Sequence, residues 1–198
     1  MYGLINRAIE ELVRSSGDPS LWDAVRARAD VDIDYFEGMV VYDDDVTERL
    51  VAAAAHELNT TADELLERFG RYWIVYTGAE GWGPILDGHG SSVVEVLQNL
   101  NDLHLRIRSS MPELRPPRFE VTNHSPDRID VRYHSDRHGL AAMVTGLLRG
   151  LAERFDEEWH VAHVGQRGVD GFDSYVLSAR IPTAAAVATG SAPTAMRP

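Results

Sequence analysis

The sequence predicts an α+β fold: a helical N-terminal lobe followed by a mainly antiparallel sheet with a packed helix. Three observations carry that reading. Apolar residues recur at helical spacing from the N-terminus to Met111, the period then switches to strand alternation, and one amphipathic helix interrupts the strands. A chain of 198 residues is long enough for one well-buried core, and no break in composition divides it. We therefore expect a single domain of two lobes over residues 1–182 and, from Thr183 to Pro198, a tail with neither period nor core.

Each element follows from local chemistry. Leu4, Ile5, Ala8, Ile9, Leu12 and Val13 make one face of a first helix over residues 2–15. Asp18 as N-cap, with Pro19 at the first helical position, opens a second helix running to about Arg28. Asp43, Asp44 and Asp45 put negative charge at the head of a third, VTERLVAAAAHEL, where the helix dipole favours it; they read as a solvated acidic cap. Thr60 or Thr61 opens a fourth, ADELLERFGRYWIVYTG, with Gly70 marking a kink or boundary. Gly81, Gly83, Pro84, Gly88 and Gly90 then break the chain. Beyond Met111, RFEVTNH and RIDVRYHS alternate as strands around the turn Ser125-Pro126-Asp127. HGLAAMVTGLLRGLAERF is a helix, and EWHVAHVG and SYVLSARI are two more strands joined through Gly168 to Gly171.

Composition removes whole classes of function. The net charge of −12, with 19 scattered basic residues, argues against a nucleic-acid surface. No apolar run reaches the roughly 18 residues that cross a bilayer, and no export pattern opens the chain, so no membrane partner and a cytoplasmic location are expected. Cysteine is absent, which excludes disulfides, thiolate-ligated metals and thiol redox sensing. There is no GxSxG, Walker loop or GxGxxG to nucleate a hydrolase or nucleotide site. His134 and His138, and His160 and His163, lack the helical HExxH context of a zinc enzyme, and the second pair falls on opposite strand faces.

Two constellations remain. From Ser91 to Met111 the residues Val93, Leu97, Leu100, His104, Ile107 and Met111 follow at spacings of four, three, four, three and four, so His104 sits in an inward apolar stripe. A neutral imidazole there offers a lone pair to an apolar interior, as an axial metal ligand does. The competing reading is a core histidine bonded to a carbonyl. Tyr133, Ser135 and Arg137 occupy alternate positions of YHSDR, and on a strand they project to one side. A phenol, a hydroxyl and a guanidinium fork together suit an anionic ligand with two carboxylates, such as haem propionates.

These residues carry a resemblance. MYGLIN at the start, FGRYW, NLNDLH with the histidine last, RPPRF and YHSDRHGL occur in the order found in H-NOX domains, the haem nitric oxide/oxygen-binding family that includes the haem domain of soluble guanylate cyclase. The resemblance runs from Met1 to about Ile181. It implies that His104 is the proximal ligand and the metal-binding residue of an iron protoporphyrin IX (haem b). It also implies that Tyr133, Ser135 and Arg137 clamp the propionates, and that Pro117 presses on the porphyrin. Ile5, Ile9, Trp73 and Met143 are candidates for the distal wall. Oxygen-binding members carry a distal tyrosine nine residues after the first motif tyrosine; that position here is Ala142. The implied protein is a non-enzymatic sensor of NO and CO that signals to a separate effector, such as a histidine kinase or a cyclic-dinucleotide enzyme, through a weakened iron–His104 bond. The alternative is a non-haem acidic ligand-binding or interaction module with His104 in its core.

Overall fold

The structure, a computed structural model, describes residues 1–77, 88–168 and 171–179. The breaks expected at Gly81, Gly83 and Pro84, and the tail from Thr183, lie outside these residues. Four helices come first: α1 (Gly3–Arg14), α2 (Leu21–Ala29), α3 (Asp44–Glu57) and α4 (Ala62–Thr77). Helix α5 (Val93–Ile107) follows, then β1 (Arg118–Ser125), β2 (Arg128–His134), α6 (Ala141–Arg154), β3 (Trp159–Gly165) and β4 (Phe172–Ala179). The sheet has the order β1-β2-β4-β3 with every neighbour antiparallel, as the alternation predicts.

Two apolar clusters define the lobes. Ile9, Val13, Trp22, Val25, Phe36, Leu50 and Phe69 centre the first, which is built from α1 to α4. The second joins the inward face of the sheet, Phe119, Ile129, Val131, Tyr133, Val161, Tyr175 and Leu177, to Val93 and Leu97 of α5 and Val144 and Leu148 of α6. Helix α4 belongs to both, since Phe69 and Tyr76 pack in the first cluster and Ile74 in the second.

Several local expectations are corrected. Gly70 neither kinks nor ends α4; it lies inside the helix where α6 crosses. A Cβ on Gly70 would stand 2.1 Å from the Met143 carbonyl oxygen, and one on Gly146 would stand 2.0 Å from that of Glu67. The two glycines let the backbones touch. Helix α2 begins at Leu21 with Ser20 as its cap residue; Asp18 acts one step earlier, accepting the Ser20 N–H and hydroxyl in a turn. Helix α5 ends at Ile107, so Met111 continues the stripe from a turn and is still buried.

Candidate cofactor site

Between the lobes lies a cavity of about 1040 Å³. That is the upper end of the range for small-molecule pockets, and it suits a ligand as large as a macrocycle. All nine sequence-predicted site residues line it: His104, Pro117, Tyr133, Ser135, Arg137, Ile5, Ile9, Trp73 and Met143. Helices α1 and α4 give it apolar walls through Leu4, Ile5, Ile9, Phe69 and Trp73, and α5 gives Leu97, Leu100, His104 and Ile107.

His104 reaches the wall because the helical stripe carries it there. Its Nδ1 lies 3.2 Å from the carbonyl oxygen of Pro117 and donates to it. Among the described residues nothing bonds to Nε2, so the ring nitrogen with the lone pair is the one left for a ligand. Burial pushes the imidazole below its ordinary pKa and outweighs the Pro117 carbonyl, which favours the charged form. The ring is therefore neutral, as metal ligation requires. The two readings of the sequence meet here: His104 is bonded to a carbonyl, and one nitrogen is still free.

The polar end is built differently from the expectation. Only Tyr133 lies on β2, which ends at His134. Ser135 and Arg137 belong to the following turn, where the Ser135 hydroxyl accepts the Arg137 N–H at 3.1 Å. The turn, not strand alternation, brings the three together. Burial pushes the Tyr133 phenol up, while the Ser135 hydroxyl and the Arg137 charge pull it back. The phenol is a neutral hydrogen-bond donor at ordinary pH.

Asp44 is the residue the sequence reading missed. It lines the cavity from the head of α3, and both its oxygens accept from Arg137, at 2.8 Å from Nε and 3.3 Å from Nη2. The N-terminal ammonium adds a third contact at 2.6 Å. Partial burial opposes ionisation, yet Arg137 and the ammonium outweigh it and hold the carboxyl at about 2. Arg137 also donates from Nη1 to the Arg115 carbonyl at 3.0 Å. Among the described residues three of its five N–H donors are thus engaged, which leaves two for an acidic ligand. The donor set fits a dicarboxylate macrocycle: one free imidazole nitrogen, apolar walls, and unspent donors at one end.

Ala142 does not line the cavity. The neighbouring residues that do so are Leu140, at the head of α6, and Met143, Val144, Leu147 and Leu148 on it. His134 turns away to Arg118 and Glu120, and the described residues contain no cluster of three metal-binding side chains.

Known proteins can now be set beside this geometry. Residues 2–163 match the family described as Haem-NO-binding. The chain belongs to that family. The family's domain is a haem-based gas sensor and not a catalytic unit. Its relatives include soluble guanylate cyclase gcy-35 of Caenorhabditis elegans, 26% identical over 89% of this chain and 26% of that protein. Another is guanylate cyclase soluble subunit beta-2 of Rattus norvegicus, 30% identical over 47% of this chain and 14% of that protein. The chain spans about a quarter or less of the length of these relatives. Among solved structures it shares the fold of an H-NOX protein from S. oneidensis in the Fe(II)NO ligation state, with a TM-score of 0.79 and 18% identity over 90% of this chain and 98% of that one. It also shares the fold of an oxygen-binding H-NOX domain related to soluble guanylate cyclases, with a TM-score of 0.74 and 22% identity over 92% and 96%. No helix among the described residues is long and apolar enough to cross a membrane.

Proposed function

We propose that this chain binds iron protoporphyrin IX between its lobes and senses nitric oxide, with carbon monoxide as a second ligand, in the cytoplasm. The observation that carries the reading is His104, a neutral imidazole with its free Nε2 at the wall of a large apolar cavity. A bound ferrous haem would supply the iron position that a diatomic gas occupies. The chain's own residues do the rest. His104 would hold the iron through its Nε2 lone pair, and Pro117 forms the wall beside it. Tyr133, Ser135 and Arg137 hold the acidic groups, while Ile5, Ile9, Trp73 and Met143 close the opposite side. The α6 face at the cavity presents thioether and hydrocarbon side chains and no hydroxyl. A polar bound oxygen finds no donor there, which favours NO and CO.

Signal output needs two conformers that the ligand distinguishes. The lobes meet through α4 and through the Asp44–Arg137 pair, which supports a change in lobe arrangement as the output. A separate effector, a histidine kinase or a cyclic-dinucleotide enzyme, would read it. The experiment is spectroscopic: the purified protein, or the apoprotein titrated with haemin, should develop a Soret band and bind one haem per chain. A protein that stays colourless at saturating haemin returns His104 to the role of a core residue.

A further inference from the structure

We propose that Asn101 is the positioning residue that fixes the tautomer and aim of the His104 imidazole, acting through the backbone of residues 117–119. Asn101 and His104 are three apart on α5 and face the same stretch of chain. The Asn101 side-chain amide makes both bonds that a neighbouring strand would make: Nδ2 donates to the Phe119 carbonyl at 2.6 Å, and the Phe119 N–H donates to Oδ1 at 3.0 Å. Phe119 lies on β1, at the edge of the sheet, so its outward backbone groups have no strand partner. The amide takes the place of one.

Two residues back along the chain, the Pro117 carbonyl accepts from His104 Nδ1 at 3.2 Å. That bond decides which ring nitrogen carries the proton. A carbonyl can only accept, so Nδ1 keeps the hydrogen and Nε2 keeps the lone pair. Pro117 cannot be held by a backbone donor of its own, because proline has none. Arg118 pairs with His134 in the ladder on one side of β1, and on the side facing α5 the fixed point is the two-bond grip at Phe119. The same grip reaches the polar end of the cavity, since Phe119 pairs with Tyr133 across the sheet and their rings stand 5.3 Å apart. One asparagine thus sets both the His104 ring and the Tyr133 phenol against a common strand.

The consequence for a metal rests on the haem reading above, but the tautomer itself does not. The first measurement is therefore made on apoprotein, as the ¹⁵N chemical shifts of the His104 imidazole and the exchange rate of the Phe119 amide. Wild type should show a single Nδ1–H tautomer and a protected amide. Asn101→Leu should give averaged tautomer shifts and at least tenfold faster exchange of Phe119. Asn101→Asp, which keeps the acceptor for the Phe119 N–H and loses the donor, should fall between them. In haem-loaded ferrous protein the same series should shift the iron–histidine stretching band, a change that general loss of stability does not produce. Unchanged His104 shifts in Asn101→Leu overturn the proposal, as does an unmoved stretching band in loaded protein. If wild type takes up no haem, the proposed function falls, and the apoprotein shifts still decide the role of Asn101.

Discussion

At the scale of single residues, the site depends on a few atoms with no substitutes. His104 carries the only imidazole on the α5 stripe, so His104→Gly should abolish haem retention and recover it in part when imidazole is supplied during expression. The ferrous and CO spectra check this, and unchanged spectra would end the assignment. Arg137→Ala should release haem about ten- to a hundredfold faster, because a charge-assisted hydrogen bond contributes about 1.5–3 kcal/mol. Transfer to apomyoglobin measures the rate. Asp44 makes a prediction about acid. Its carboxyl is held at about 2, below the ordinary 3.8, so its stabilising effect is complete above about pH 4 and fades as pH falls toward 2. Asp44→Asn should therefore flatten that part of the stability profile, followed as urea midpoints between pH 5 and pH 2. Asp44 escaped the sequence reading because acidic residues at a helix head are usually solvated, and its partner lies 93 residues away. No local signal joins the two.

At the scale of elements, the crossing of α4 and α6 is the joint on which both lobes depend. Gly146→Ala places a methyl carbon 2.0 Å from the Glu67 carbonyl oxygen, a backbone atom that cannot step aside as a side chain can. Overpacking of this kind costs about 1–3 kcal/mol, and urea unfolding should show it as a lower midpoint. Every strand and helix among the described residues was legible in the sequence, because apolar period alone separates α5 from β1 and α6 from its flanking strands. Contacts between elements were not. Gly70 has the same signature whether it kinks a helix or admits a neighbour, and only the partner glycine on α6 decides. A count of nine along the chain from Tyr133 reaches Ala142, whose short side chain is not part of the cavity wall. Met143, Val144 and Leu147 are the α6 residues nearby that line it. Tyr133, Ser135 and Arg137 do meet at the cavity wall, but strand alternation is not the reason, since a turn converges side chains as well as a strand does.

At the scale of the whole molecule, the arrangement is asymmetric. The ferrous protein in air should show no stable oxygen complex and should bind NO and CO, because the cavity wall on α6 offers no hydroxyl. A stable oxygen spectrum after reduction, desalting and exposure to air would defeat the NO-selective reading and leave the fold untouched. The asymmetry also has a consequence for biosynthesis. The four residues proposed to hold the cofactor by polar bonds, His104, Tyr133, Ser135 and Arg137, come after the helical lobe in the chain, and the buried members of that lobe's apolar cluster end at Tyr76. Domains fold as they emerge from the ribosome, N-terminal parts first. The helical lobe can therefore collapse before His104 and the Tyr133–Arg137 turn are synthesised. The sheet that carries the clamp closes only when β4 arrives between β2 and β3. On the haem reading, cofactor capture would thus follow the arrival of β4, and haem supply at that moment would set the loaded fraction.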